Sequence, residues 1–276
     1  MSIIRKKNFY FLTLSSSVSL GIIAVFSLYF INWNSIVESY VTIEGALGVV
    51  LAISLRITIV SGMALYTFFQ WFKQEEQYLS DLPFLFGLYF VLLVFGKSLD
   101  LFGAFIFFQL NEIIVLTVLK VRFFIMVLNF FPMIYLSSEM ILFSFSLKPR
   151  FKNLTNERKR NKISVRFIVV VILIESIAGI MASNQRTLSI YYPIIVIPSL
   201  LTIVWLFNFA RKNKRLSQIN TLTLTMGFGA YLISQIIRPL AQFVIGESAM
   251  FLILAETLDL IIFVVIFIGF YGKSHY

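Results

Sequence analysis

Ten ionisable side chains lie within stretches of this sequence that are otherwise apolar enough to cross a lipid bilayer. A charge at membrane depth costs about 2.5–3.5 kcal/mol on insertion scales, so each such residue needs a partner, a hydrated cavity or a functional role. The two signs balance, which points to a polar site inside the membrane. The basic members are Arg56, Lys97, Lys120, Arg122 and Arg238, and the acidic members are Asp100, Glu139, Glu175, Glu256 and Asp259.

The spacing of these residues predicts how some of them interact. Lys97 and Asp100 are three positions apart, so they share a helix face and can pair. Glu256 and Asp259 have the same spacing, but like charges on one face repel. They require a bound cation, a basic side chain from another helix or a raised carboxyl pKa. We therefore expect the basic groups to hold a carboxylate or phosphate, and the two acids to carry protons or a cation.

The residue types that are missing exclude several classes of chemistry. The chain has no cysteine, and its single histidine is His275. Without cysteine the chain can form neither a disulfide nor a catalytic thiolate. Without a histidine inside the membrane it lacks the ligand for haem or zinc and the base for serine–histidine catalysis. We predict no catalytic residue, no metal site and no cofactor. An enzyme is the weakest of the functional classes, because only carboxylate or lysine chemistry remains.

The composition predicts an all-α integral membrane protein. Of the 276 residues, 59% are hydrophobic and 13% are charged, whereas a soluble domain carries about 25% charged residues. We predict one membrane domain, 1–276, that is a bundle of about eight transmembrane helices, with seven as the fallback count. The predicted spans are about 8–32, 45–72, 83–109, 113–147, 163–183, 190–210, 218–245 and 249–272.

The basic residues predict the orientation of these spans. Loop 148–162 alone carries seven lysines and arginines, and the other basic clusters also fall on the side that holds the N-terminus. By the positive-inside rule that side is cytoplasmic, and eight spans place both termini there, in a cell membrane. The excess charge of +10 therefore contacts anionic lipid headgroups rather than nucleic acid. Lys273 belongs to the cytoplasmic set, and Glu247 to the opposite side.

This orientation converts sequence position into depth. Nine of the ten charges then lie between the midplane and the outer surface, with Glu139 on the inner side. We predict a hydrated cavity open to the outside, because so many charges at a common depth are expensive to keep as structural pairs. Its centre is Lys97, Arg238, Glu256 and Asp259, and the wider set of predicted ligand-binding residues adds Arg56, Asp100, Lys120, Arg122 and Glu175.

A weak internal repeat relates the third predicted span to the seventh. The aligned pairs are Lys97 with Arg238, Leu99 with Leu240 and Phe102 with Phe243. A separation of four spans makes 1–147 and 163–272 parallel halves, an arrangement found in transporters.

Three functional classes remain open. Prolines within spans (Pro132, Pro198 and Pro239) and the mixed charges favour a small transporter or lipid flippase for an anionic or zwitterionic substrate. The alternative is a ligand-sensing receptor that signals through a separate cytoplasmic partner. The second alternative is a non-catalytic structural subunit with paired buried charges. Small residues at Gly45 and Gly48 are typical of close helix packing and leave a homodimer open.

Overall fold

The computed structural model describes residues 3–106, 111–246 and 248–272, and for residues 3–6, 106, 243 and 245 it describes the backbone alone. Within these ranges the chain forms α-helices, one short 3-10 helix and no strand. The predicted all-α class is confirmed. The α-helices are α1 (Ile3–Ile31), α2 (Trp33–Thr42), α3 (Ala46–Lys73), α4 (Leu82–Ile106), α5 (Glu112–Ser146), α6 (Glu157–Met181), α7 (Gln185–Lys212), α8 (Thr221–Ile245) and α9 (Ala249–Tyr271), and the 3-10 helix is Pro149–Thr155.

Seven of the described helices are long and apolar enough to span a bilayer, which makes this a multi-pass membrane protein. They are Lys7–Ile31, Ala46–Lys73, Leu82–Phe105, Glu112–Ser146, Glu157–Met181, Gln185–Lys212 and Ala249–Tyr271. Helix α8 coincides with the predicted span 218–245 and is 25 residues long, but it contains threonines, glutamines and an arginine and is not among the seven. An eighth span therefore stays a prediction. Lys273 and Glu247 lie outside the described residues.

Local sequence explains where the later helices begin. The side chain of Asn184 accepts a hydrogen bond from the amide of Thr187 (2.9 Å) at the start of α7, and Asn220 accepts one from the amide of Thr223 (3.1 Å) at the start of α8. Such caps satisfy amides that the first helical turn leaves open. Gly45 precedes α3 with a φ of 77°, a left-handed conformation that glycine adopts without steric cost.

Helix α5 runs through a proline. It contains 35 residues with Pro132 inside, a length of about 50 Å at 1.5 Å per residue. The sequence predicted one long helix here rather than two spans separated at Pro132, and the structure has the single helix. The short helix α2 was not predicted, because Trp33–Thr42 lacks the length and apolarity of a span.

The chain divides into two compact units, 1–129 and 130–276, and the boundary falls inside α5. In the first unit α3 packs against α4, and Asn129 on α5 donates a 2.5 Å hydrogen bond to the carbonyl of Tyr89 on α4. In the second unit α8 packs against both α7 and α9. The rings of Phe207 on α7 and Phe228 on α8 stack with centroids 5.5 Å apart.

Glycines allow α8 and α9 to approach closely. A Cβ atom at Gly227 on α8 would lie 2.7 Å from Cγ1 of Ile266 on α9, and a Cβ at Gly269 would lie 3.0 Å from the amide nitrogen of Leu224. Small residues at a membrane helix interface permit such backbone contact. This helix pair carries the most deeply buried acidic residues of the second unit, Glu256 and Asp259.

Candidate functional site

In the second unit, Arg238 on α8 bridges two carboxylates on α9. Its Nη2 donates to Oδ2 of Asp259 at 2.8 Å, and its Nη1 donates to Oε1 of Glu256 at 3.4 Å. The arginine side chain is 23% exposed, whereas the glutamate is 6% and the aspartate 1% exposed. The like-charged pair Glu256–Asp259 therefore has the basic partner from another helix that its spacing required.

The two carboxylates are held unequally. The hydroxyl of Ser234 donates to Oδ1 of Asp259 at 2.7 Å, so both oxygens of this carboxylate are bound. Ser234 and Arg238 are four residues apart and share one face of α8. The bond from Arg238 to Glu256 is longer and weaker, since charge-assisted bonds of this type are usually about 2.7–2.9 Å. Within the cluster, Asp259 is the fixed group and Glu256 is the more loosely held one.

The part played by Ser234 was not predicted from the sequence. A serine in an apolar helix is common, and its hydroxyl usually bonds the preceding turn of its own helix. The signal that identifies it is its spacing of four residues from Arg238 on a helix that also faces two acids.

In the first unit, one carboxylate is shared between two basic residues. Nζ of Lys97 lies 3.1 Å from Oδ2 of Asp100 on the same helix, α4, and Arg122 on α5 forms an ion pair with Oδ1 of Asp100. The predicted pairing of Lys97 with Asp100 is present. The partner from α5 was not predicted. All three side chains are partly exposed, and the most exposed is Arg122, at 33%.

Helix α1 also reaches this part of α4. The hydroxyl of Tyr29 donates a 2.8 Å hydrogen bond to the carbonyl of Ser98, which lies between Lys97 and Asp100 in sequence. The Tyr29 ring packs edge-on against Phe102, with centroids 5.3 Å apart. A fixed contact thus holds the segment of α4 that carries the charges.

Glu139, which was predicted to lie apart from the other charges, has its own partner. Its Oε2 accepts a 2.9 Å hydrogen bond from Nε of Arg160 near the start of α6. One turn earlier on α5, the hydroxyl of Tyr135 bonds Oδ1 of Asn161 at 3.2 Å. These two contacts join α5 to the beginning of α6, which is a structural role.

The remaining three predicted residues differ in their surroundings. Arg56 on α3 is fully buried, and both it and Lys120 on α5 take part in interactions with other residues. Glu175 on α6 is partly buried, and within the described ranges it forms no hydrogen bond or ion pair. Of the four residues at the predicted centre of the cavity, Arg238, Glu256 and Asp259 meet in one cluster, whereas Lys97 belongs to the cluster of the first unit.

No group of three or more histidine, aspartate and glutamate side chains that could hold a metal ion is found in the described part of the chain. Comparison with protein-family models, curated proteins and solved structures gave no significant match. The function must therefore follow from the chemistry of the two charge clusters.

Proposed function

We propose that this protein is a small transporter or lipid flippase of the cell membrane, acting on an anionic or zwitterionic substrate. The observation that carries the proposal is the bridge from Arg238 to Glu256 and Asp259. A partly exposed guanidinium shared by two buried acids differs from a simple structural pair, because one of its partners can be exchanged.

The unequal bonds define which partner exchanges. Asp259 is held by Ser234 at 2.7 Å and by Arg238 at 2.8 Å, so it keeps the guanidinium in place. An incoming carboxylate or phosphate takes the position of Glu256 on Arg238, because the guanidinium fork matches the geometry of either group. The displaced Glu256 is then the group that takes up a proton or a cationic substrate group.

The cluster of the first unit has the opposite composition, with one carboxylate between two basic groups. Asp100 is shared by Lys97 and Arg122, so an anionic group can replace Asp100 as the partner of either base. Arg122 is the more exposed of the two bases and is the first contact that we assign to a substrate anion.

The polar residues within α8 support a helix that lines a polar path. Its face with Ser234 and Arg238 is directed to the carboxylates of α9, and Pro239 follows the arginine directly. A proline inside a spanning helix removes one backbone hydrogen bond, which is tolerated where the backbone is buried in protein or lines a cavity. With α8 as the eighth span, both termini are cytoplasmic and both clusters lie in the outward half of the bilayer.

The test is lipid and solute movement in proteoliposomes that contain the full chain. Fluorescent phosphatidylglycerol and phosphatidylethanolamine serve as anionic and zwitterionic probes, and a membrane-impermeant quencher reports their transfer between leaflets. We expect transfer above that of empty vesicles, a loss of at least tenfold in Arg238→Gln, and no change in Arg166→Gln. Arg166 is the matched control because it is an exposed arginine of α6 outside both clusters.

If neither probe moves, the flippase function is wrong, and the same vesicles loaded with small carboxylates and organic phosphates test the transporter function. Saturable binding of such a compound without any flux identifies the receptor alternative instead.

The structural-subunit alternative is favoured by one observation, which is that the buried charges contact each other directly. It predicts that the double variant Arg238→Asp with Asp259→Arg recovers the stability that each single variant loses, and that the wild type transports nothing. Transport by the wild type, abolished in a folded double variant, excludes it.

A further inference from the structure

An apolar groove lies between α5 and α7 of the second unit, away from the charge clusters. It encloses about 420 Å³ and is lined by Ile141, Ser144 and Phe145 of α5 and by Leu201, Thr202 and Trp205 of α7. Volumes of this order hold small molecules or parts of larger ones. Phe145, Leu201 and Trp205 are exposed, so the groove opens on the surface of the unit and not inside its core.

A lysine lies beyond each wall of the groove, at the end of its helix. On the α5 side, Lys148 follows the end of the helix at Ser146, and its Nζ lies 5.6 Å from the centre of the Phe145 ring. On α7, the Trp205 ring stacks on Phe209 with centroids 5.1 Å apart, and Lys212 follows on the same face.

The groove therefore lies at one defined depth in the membrane. Lys212 is the last residue of α7, and seven residues separate it from Trp205, a distance of about 10 Å along the helix. A lysine at the end of a spanning helix lies at the level of the lipid headgroups, so the groove lies at the level of the first acyl carbons. Arg215 adds charge at the same end of α5, with its guanidinium 4.7 Å from the centre of the Phe143 ring.

We propose that this groove is a binding site for one anionic phospholipid, with an acyl chain between α5 and α7 and the lipid phosphate facing Lys148 and Lys212. The apolar walls match the hydrocarbon chain, and the exposed lysines match the phosphate charge. Ser144 is a polar member of the groove wall, and in the proposed complex its hydroxyl donates to an ester carbonyl of the lipid. The site goes beyond the proposed transport, because it shares no residue with either charge cluster.

Trp205 provides a direct measurement of this binding. In the full-length Trp33→Phe protein, the remaining tryptophans are the fully buried Trp71 and Trp205, which is 44% exposed. Phospholipids with brominated acyl chains quench a tryptophan that they contact. We expect brominated phosphatidylglycerol to quench at a lower mole fraction than brominated phosphatidylcholine, and we expect this difference to disappear in Trp205→Phe.

Two pairs of variants separate the headgroup from the acyl chain. Lys148→Gln with Lys212→Gln should weaken the preference for phosphatidylglycerol by about fivefold per lysine. The control, Lys159→Gln with Lys162→Gln, removes the same charge from exposed positions of α6 and should leave the preference unchanged. Ser144→Phe fills the groove and should reduce quenching by both lipids. The control is Ser189→Phe, at an exposed position of α7 outside the groove, and it should leave quenching by both lipids unchanged.

Equal quenching by the two lipids overturns the proposal. An equal loss of the preference for phosphatidylglycerol in both double lysine variants also overturns it, because the lipid is then attracted by the whole basic surface and not by this groove. Flux in the proteoliposome assay is unaffected by these outcomes, so the two proposals fail separately.

Discussion

Ser234 and Arg238, one turn apart on α8, bind opposite oxygens of the same carboxylate on α9, that of Asp259. Two hydrogen bonds, one to each oxygen, hold the carboxylate of a buried acid in one position. The neighbouring Glu256 shares the arginine through a longer bond. This difference between two acids on one helix face leads to the first prediction.

Replacing the two acids with their amides should have unequal effects on stability. Asp259→Asn leaves the guanidinium with its weaker partner alone, and breaking a buried ion pair costs about 3–5 kcal/mol. Glu256→Gln removes the longer bond and should cost about 1 kcal/mol. Unfolding in mixed micelles with increasing dodecyl sulfate measures both. Equal losses would show that the difference in bond length has no energetic meaning.

A methyl group at Gly227 should separate α8 from α9. The new Cβ would lie 2.7 Å from Cγ1 of Ile266, a side chain that is fully buried, and overpacking of this kind costs about 1–3 kcal/mol. Gly229→Ala on the same helix is the control, because a Cβ there meets no atom of another helix within 4 Å. Unfolding free energies of the two variants should differ by at least 1 kcal/mol. If they agree, the close helix approach is wrong.

The two bases around Asp100 should couple to it with different strength. Lys97 is on the same helix, and pairs of this spacing contribute about 0.2–0.5 kcal/mol. Arg122 pairs across helices and therefore holds α4 and α5 together. A double-mutant cycle of Asp100→Asn with Arg122→Gln should give a coupling energy of at least 1 kcal/mol, larger than the same cycle with Lys97→Gln. The reverse order would contradict the described pairing.

The link between Glu139 and Arg160 should stabilise the turn from α5 into α6. We expect a coupling energy of about 1 kcal/mol from the cycle of Glu139→Gln and Arg160→Gln, since the bond is 2.9 Å long and partly buried. Glu157 is an exposed acid in the first turn of α6 and serves as the control. A cycle of Glu157→Gln with Arg160→Gln should give a smaller coupling of about 0.2–0.5 kcal/mol, because Glu157 is exposed and lies three positions before Arg160 on one helix.

The spacing of residues along one helix predicted contacts within that helix well. Contacts between helices could be predicted from the sequence only in part. The pair Lys97–Asp100 follows from the period of the α-helix, and so does the requirement of Glu256 and Asp259 for a base from elsewhere. The pairing of Asp100 with Arg122 depends on the rotation of α4 against α5. That rotation is set by packing contacts such as the Asn129–Tyr89 bond, which leave no periodic signal.

The same reasoning explains the positions of the helices. Long apolar runs predicted the spans because a bilayer demands about 20 residues of low polarity. Helix α4 was expected to extend to residue 109, and residues 107–110 lie outside the described ranges. Helix α2 was not predicted, because a ten-residue sequence with several polar side chains is as typical of a loop as of a helix.

The dependence of α8 on α9 has a consequence for biosynthesis. Helix α8 carries Arg238 within its length, and the carboxylates that neutralise this arginine belong to a segment that the ribosome makes later. When α8 first meets the insertion machinery, its arginine still has neither acid beside it. The two segments should therefore enter the lipid as a hairpin, and a stop codon placed before residue 249 should leave α8 outside the bilayer.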